Sequence, residues 1–449
     1  MFLRVLRSRR LAALLAAAWG LGAPGCADET ALDDTTRARL EAYRLPPAPP
    51  PDPSNAVADD VRAAVLGKQL FFDGRFSGAL GPANGDPDRG GVGAPGEAGK
   101  VACVSCHDLT NGGSDHRSRP AETSLGAAYD GRNAITVIDS AYSDPALGGW
   151  LLWDGHKDSQ WSLALGPMEN RLEHNATRLQ VAHVIFDHYR ASYEAIFGPL
   201  PALGDRTRFP DDGKPGDPAY DAMAPDDRAA IDRVFASFGK ALAAYERRLV
   251  SSSFAPSPFD RMLAGDASAM TPGALRGARL FVGKAACDEC HRGYAFSDGK
   301  FHNVGVPQEG EHTLVRDLGR AAAGSLLTDP FNRAGAFSDR RDDAQLRALV
   351  IGDRDLGAFK TPTLRNVSKT APYMHDGVYG NLRDVVEHYN AGGETGGYAG
   401  TREVTIEPLL LDAREVDDLV ELLRALDDDA PLPSSDFPEG LTSPPQLPE

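Results

Sequence analysis

Five stretches of the chain carry apolar residues at helical spacing: Val61 to Leu70, Ser159 to Leu165, Leu179 to Ile196, Pro225 to Arg248 and Thr271 to Phe281. The fourth is the clearest, with Ile231, Val234, Phe235, Phe238, Leu242 and Tyr245 along one face. Between them lie segments poor in regular pattern, above all the Gly- and Pro-rich run from Gly78 to Gly99. The pattern predicts a mainly α protein. A break at Ser251 to Pro258 divides it, and in each half a helix carrying Leu and Phe leads toward the same short cysteine pattern. Two helical, loop-rich domains follow, residues 56–255 and 256–430.

The ends read differently. Arg4, Arg7, Arg9 and Arg10 precede an apolar run, Leu11 to Leu21, and then Gly-Ala-Pro-Gly before Cys26. Residues 1–25 are thus expected to be an export signal, with Cys26 at the position where a bacterial lipoprotein is cleaved and acylated. Pro24 suits that cleavage poorly, so simple secretion stays open. Residues 26–55 include Leu45 to Pro53, a proline run expected to be a stiff tether. Residues 431–449 have no core-forming pattern and are expected to be a disordered tail.

The net charge of −17 argues against a nucleic-acid partner and against an anionic lipid surface, leaving an N-terminal lipid as the membrane contact. It suits a basic electron-donor protein, although a solvated acidic surface accounts for it equally.

The cysteines carry the chemistry. Cys103-Val104-Ser105-Cys106-His107 and Cys287-Asp288-Glu289-Cys290-His291 are two copies of Cys-x-x-Cys-His. In that pentad two thiols add across the vinyl groups of a haem and the histidine becomes the proximal iron ligand. With five Cys and 11 His in 449 residues, random placement yields about 0.001 such pentads. A zinc site shared by the two Cys-x-x-Cys pairs leaves both histidines unexplained. Two covalent haem c groups are expected.

Further motifs follow in one order: Leu66-Gly67-Lys68-Gln69-Leu70-Phe71-Phe72-Asp73, Gly131-Arg132-Asn133-Ala134, Trp153-Asp154-Gly155, Lys360-Thr361-Pro362-Thr363-Leu364-Arg365-Asn366, and Ala371-Pro372-Tyr373-Met374-His375-Asp376-Gly377. Together with the pentads they resemble the bacterial di-haem cytochrome c peroxidase and MauG superfamily, from about Leu66 to about Tyr389. The resemblance implies two cytochrome c-like haem domains, a peroxidatic haem on His107 and an electron-transfer haem on His291. It implies that Glu173, after Gly166-Pro167, manages protons over the open haem face; Glu169 is the rival carboxylate. Where the family often has an amide this chain has Leu163, with Gln160 as a substitute. Trp153 is implied as the bridge between haems, while Trp150 and Trp161 are packing or steps in a hole pathway to the surface.

Two departures mark the subfamily. The histidine that closes the peroxidatic iron in typical members is replaced by Leu125, and the nearest histidine is His116. The methionine on the second haem is replaced by Tyr389, a MauG-like feature, with His388 and Met374 as competing ligands. The resemblance also implies a Ca²⁺ held by Asn133, Thr370 and Pro372. The expected function is a periplasmic di-haem peroxidase that reduces hydrogen peroxide with electrons relayed through the C-terminal haem from a small electron-donor protein. The alternatives are a MauG-like oxidase that modifies Trp or Tyr of a client protein, and a non-enzymatic electron carrier.

Overall fold

The structure is a computed structural model and describes residues 32–143, 149–251, 256–342, 344–428, 437 and 440–449. The proposed signal, residues 1–25, and Cys26 lie outside the described residues. The chain is mainly helical, with two hydrophobic cores.

In the first half, the Val61–Phe72 helix begins where the Asp60 carboxylate caps the Arg62 amide. It buries Ala63, Ala64, Leu66, Leu70 and Phe71 in a core shared with the long Pro225–Glu246 helix. The Gln160–Glu169 helix adds Trp161, Leu165 and Met168 to the same core. The expected Leu179–Ile196 helix exists as one run in three parts, Arg178–Val184, a π turn at Ile185–Tyr189, and Arg190–Phe197.

In the second half, the Pro272–Phe281 helix packs against a helix absent from the sequence reading, Ala413–Arg424. Asp412 caps that helix, and Val416, Leu419, Val420, Leu422 and Leu423 make its apolar stripe between acidic residues. A third helix, Leu382–Ala391, completes this domain. Sheet among the described residues is a two-residue antiparallel ladder, Phe301–His302 with Phe359–Lys360. No helix among the described residues is long and apolar enough to cross a membrane.

The ends correct two expectations. The described part of the expected tether is not free. It opens with the Asp34–Leu40 helix and sends Leu40 and Tyr43 into the second core. There the Tyr43 hydroxyl donates to the His291 carbonyl at 3.0 Å, beside the second pentad. Proline carbonyls that lack a helix or sheet partner accept instead from side chains: Pro46 from Tyr142 and Pro50 from Arg247. The tail is not disordered where it is described. Phe437 and Leu441 are buried in the first core, the Lys68 ammonium donates to the Gly440 carbonyl at 2.6 Å, and the Tyr245 hydroxyl to that of Leu441 at 2.7 Å. Two apolar residues four apart were enough, because the Val61–Phe72 and Pro225–Glu246 helices offered buried donors in need of acceptors. Each end therefore packs on the opposite half of the chain.

Phe437→Ala is expected to lower the stability of the first domain by about 3 kcal/mol, the low side for a buried Phe because a terminal segment can peel away. A chemical-denaturation midpoint unchanged from the native chain would show that the tail is held by its backbone hydrogen bonds alone.

Candidate active site

The two pentads fold alike. Each is a short helical turn in which the histidine amide returns to the first cysteine carbonyl, His107 to Cys103 at 3.0 Å and His291 to Cys287 at 2.8 Å. The imidazole Nδ1 of His107 meets the Gly113 carbonyl at 3.2 Å, and that of His291 the Phe296 carbonyl at 2.9 Å. Engaging Nδ1 fixes the tautomer and leaves Nε2 as the ligating nitrogen. Burial depresses the pKa of both rings, which favours the neutral form that binds metal. All four cysteines are free and partly buried, so four thiols and two oriented imidazoles fit two covalent haems.

The His107 imidazole opens into a cavity of about 620 Å³. Glu173 lines it; Glu169 does not. The difference is electrostatic. Glu169 is held by Arg178 through a fork of hydrogen bonds at 2.9 and 2.7 Å, and a paired carboxylate is no proton carrier. Among the described residues Glu173 has no cation partner. It accepts one hydrogen bond, from the Asn170 amide at 2.6 Å, and desolvation together with the Asp130 charge pushes its pKa up to about 7. The turn that presents it follows the end of the Gln160–Glu169 helix, and its backbone takes the amides of Ala127 and Ala128. Gly126 is required there, because a Cβ would run into the Glu173 backbone.

Other predicted residues sort in the same way. Gln160 and Leu163 both line the cavity. Leu125 is buried but outside its lining, and His116 is half-exposed on an ion pair with Asp108 at 3.0 Å. No histidine other than His107 and His156 lines the cavity, and His156 is bound to Asp154 at 2.5 Å.

Trp153 sits where the two halves meet. Its indole N–H donates to the Asn133 carbonyl at 2.8 Å, and its own carbonyl accepts the Lys360 amide at 2.7 Å. Next to it, Asp154 pairs with Arg132 at 2.8 Å, and Arg132 reaches across the boundary to Asp317 at 2.6 and 2.7 Å. Burial opposes the charge on Asp154, yet His156 and Arg132 hold its carboxyl well below the usual range. Gly155 turns the chain at φ +69°, and a Cβ there would strike the Phe301 ring and the Arg320 guanidinium.

At the second pentad the structure separates the neighbours His388 and Tyr389. Both ring nitrogens of His388 are engaged, Nδ1 with the Tyr379 hydroxyl at 2.9 Å and Nε2 with the Val304 carbonyl at 3.1 Å. Tyr389 turns the other way on the helix. Its phenol lies close to Cys290 and Cys287, and burial pushes its pKa up. For calcium, the Asn133 amide nitrogen donates to the Pro372 carbonyl at 2.7 Å, and the Thr370 hydroxyl donates to Val367 at 3.0 Å. Two of the three expected ligands are adjacent, satisfying one another.

Residues 62–268 match the family described as di-haem cytochrome c peroxidase. The chain is 31% identical over 397 residues to the cytochrome-c peroxidase IdrP1 of Denitromonas iodatirespirans, covering 86% of each protein. This chain belongs to the di-haem cytochrome c peroxidase family. It is also 28% identical over 359 residues to the methylamine utilization protein MauG of Methylophilus methylotrophus, covering 78% of each. Its fold is similar to that of the diheme peroxidase BthA from Burkholderia thailandensis E264, with a TM-score of 0.56 and 21% identity over 87% of this chain and 97% of that one. Membership makes the protein a haem peroxidase oxidoreductase with haem c cofactors, and sets aside the non-enzymatic carrier.

Four residues of this family member escaped the sequence reading. Arg132 and Asp154 stood inside recognised motifs, but an ion pair across a domain boundary leaves no local spacing to read. Glu246 ends the Pro225–Glu246 helix, lines the cavity beside Cys103, and has its pKa pushed up to about 8 by burial. Lys360 lines it from the second domain, and burial brings its pKa down to about 8. A charged residue on the buried side of a helical pattern was the available signal for Glu246.

Arg132→Gln leaves buried Asp317 without its counter-charge and Asp154 with His156 alone, and is expected to cost about 3 kcal/mol; a melting temperature within error of the native value would overturn the clamp. Glu173→Gln is expected to slow peroxide consumption by about 10²-fold or more while cyanide binding stays near native. As a base Glu173 works ionised, so the native rate falls as pH drops through about 7. The Gln variant lacks that limb. The sign for stability is opposite: a carboxyl whose pKa rises from 4.5 to about 7 on folding costs stability as pH climbs through that window.

Proposed function

We propose that the protein reduces hydrogen peroxide at the His107 haem, with Glu173 as its acid–base residue, Trp153 as the link between haems, and Tyr389 as the residue that, with His291, would hold the iron of the second haem. Bound haem supplies, at the first site, an iron with a coordination position for peroxide, and at the second a centre that passes electrons. The observation that carries the reading is Glu173: a carboxyl without a counter-charge, in the cavity that His107 opens into, oriented by Asn170. Such a group takes the proton of one peroxide oxygen and returns it to the oxygen that leaves as water. Asn170 orients the carboxylate, and Gln160, which lines the same cavity while donating to Ser140 at 2.9 Å, offers an amide near the reacting oxygens.

His116 on its surface ion pair and Leu125 outside the lining support a first haem that needs no reductive opening. His388, engaged at both nitrogens, supports Tyr389 as the ligand. Burial alone favours the neutral phenol, and a cationic centre within bonding reach is what makes the phenolate the stable form. A phenolate ligand favours ferric iron and a low potential. That, with the MauG relatives, favours a second reading in which the oxidising equivalents are drawn from Trp or Tyr of a client protein rather than refilled by a small donor. Calcium between the domains requires the Asn133 amide to turn its oxygen toward the Pro372 carbonyl, two groups that already lie together. We place the protein in the periplasm, where its relatives' covalent haem chemistry belongs, with a lipid at Cys26 as the proposed anchor.

Low-temperature EPR of the ferric protein tests the proposal. One high-spin and one low-spin signal are expected, the first disappearing on addition of peroxide without donor. Two low-spin signals indifferent to peroxide would overturn it. In Tyr389→Phe only the low-spin signal is expected to change; a native spectrum would remove the tyrosine ligand.

A further inference from the structure

Three tryptophans are described, and their surroundings differ in charge. The Arg320 guanidinium lies 4.7 Å from the Trp150 ring centroid, and the Lys240 ammonium lies 5.5 Å from that of Trp161. Among the described residues no cation stacks on Trp153, which instead donates its N–H to a carbonyl. The two stacked cations are not equivalent. Lys240 is ion-paired with Asp339 at 2.8 Å, so its field at Trp161 is partly cancelled. Arg320 is buried, sandwiched between Trp150 and Phe301 (4.1 Å to that centroid), and donates to the carbonyls of Asp154 and Gly155 at 3.0 and 2.7 Å. Among the described residues it makes no direct ion pair; the carboxylates of Asp355 and Asp154 act on it at longer range, and the guanidinium itself lies on the indole.

Trp150 lines two spaces: the cavity that His107 opens into, and a second, more polar cavity of about 300 Å³. Buried Asp158 and partly buried Arg333 line that space, each with an unpartnered side-chain atom. Such groups attract water. An indole that borders both a site of oxidising equivalents and a space that attracts water is open to oxidation. Losing an electron gives it a positive charge, and a guanidinium stacked on its face, attractive to the neutral ring, repels that charge.

We propose that Arg320 is a positioning residue that shields Trp150 from oxidation and so directs oxidising equivalents to Trp153. The inference rests on the peroxidatic reading above. Without the shield the leak balances as follows. Trp150 gives up two electrons and two protons and gains one oxygen from water, while one hydrogen peroxide takes up two electrons and two protons to become two waters. The sum is one indole and one peroxide converted to a hydroxylated indole and one water.

The test uses the haem-loaded protein, given excess hydrogen peroxide without donor and then mapped by peptide mass spectrometry for oxygen added at each tryptophan. Arg320→Gln keeps a donor for the Asp154 and Gly155 carbonyls but removes the charge; Arg320→Lys keeps the charge. Oxidation of Trp150 is expected to rise at least about tenfold in Arg320→Gln and to stay near native in Arg320→Lys. Equal oxidation in the native chain and Arg320→Gln would overturn the proposal, as would Arg320→Lys behaving like Arg320→Gln, which would make the role one of packing. Should Arg320→Gln not fold, Trp150→Phe in the native background is the second variant. A shielded indole carries no current, so oxidation at the other residues is expected to be unchanged, and redistribution would overturn the shield. If the native chain consumes no peroxide, the peroxidatic reading fails instead. Azide radicals, which oxidise indoles without haem, then give the same comparison of Arg320→Gln with Arg320→Lys.

Discussion

A guanidinium buried between two halves of a protein has to be neutralised, and Arg132 meets that requirement with one carboxylate from each half, Asp154 and Asp317. The rest of the boundary depends on this pairing. Asn133 follows Arg132 and offers the carbonyl that holds the Trp153 indole; Trp153 precedes Asp154 and gives its own carbonyl to Lys360. The short ladder that contains Lys360 thereby fixes the tryptophan to the second domain. The Trp153 indole is thus positioned by its neighbours in sequence, and its neighbour Asp154 is held by Arg132.

The same electrostatic logic sorts the titratable groups. Glu169 and Glu173 are four residues apart and chemically alike, but Arg178 claims the first and leaves the second in the cavity with a raised pKa. His388 and Tyr389 are adjacent, but hydrogen bonds consume the histidine and leave the phenol beside the second pentad. Among the described residues, what sets Glu173 and Tyr389 apart from their neighbours is that Glu169 and His388 have the nearby partners.

The packed ends bear on assembly. The Asp34–Leu40 helix and Tyr43 cover the second core and touch the second pentad through the His291 carbonyl, while Phe437 and Leu441 close the first core. The two domains are therefore completed by segments from the far ends of the chain. That arrangement ties the two cores together through the ends of the chain as well as through Arg132.

Taken alone, the sequence marked where haem is expected to attach, because Cys-x-x-Cys-His is a local pattern whose chemistry needs only its own five residues. It also determined most helices of the first half, since periodicity is local, and through its ordered motifs it pointed to the family. It under-read the second half, where the Ala413–Arg424 helix hides its stripe among acids, and the ends, where a proline run and two apolar residues signal little by themselves. The tertiary structure decided which carboxylate is unpaired, which of two adjacent residues faces the second pentad, and which tryptophan carries a cation on its face. Those outcomes depend on partners such as Arg178, Val304 and Arg320, brought from elsewhere in the chain. Charge pairing and burial act through space, and only folding sets which distant groups become neighbours.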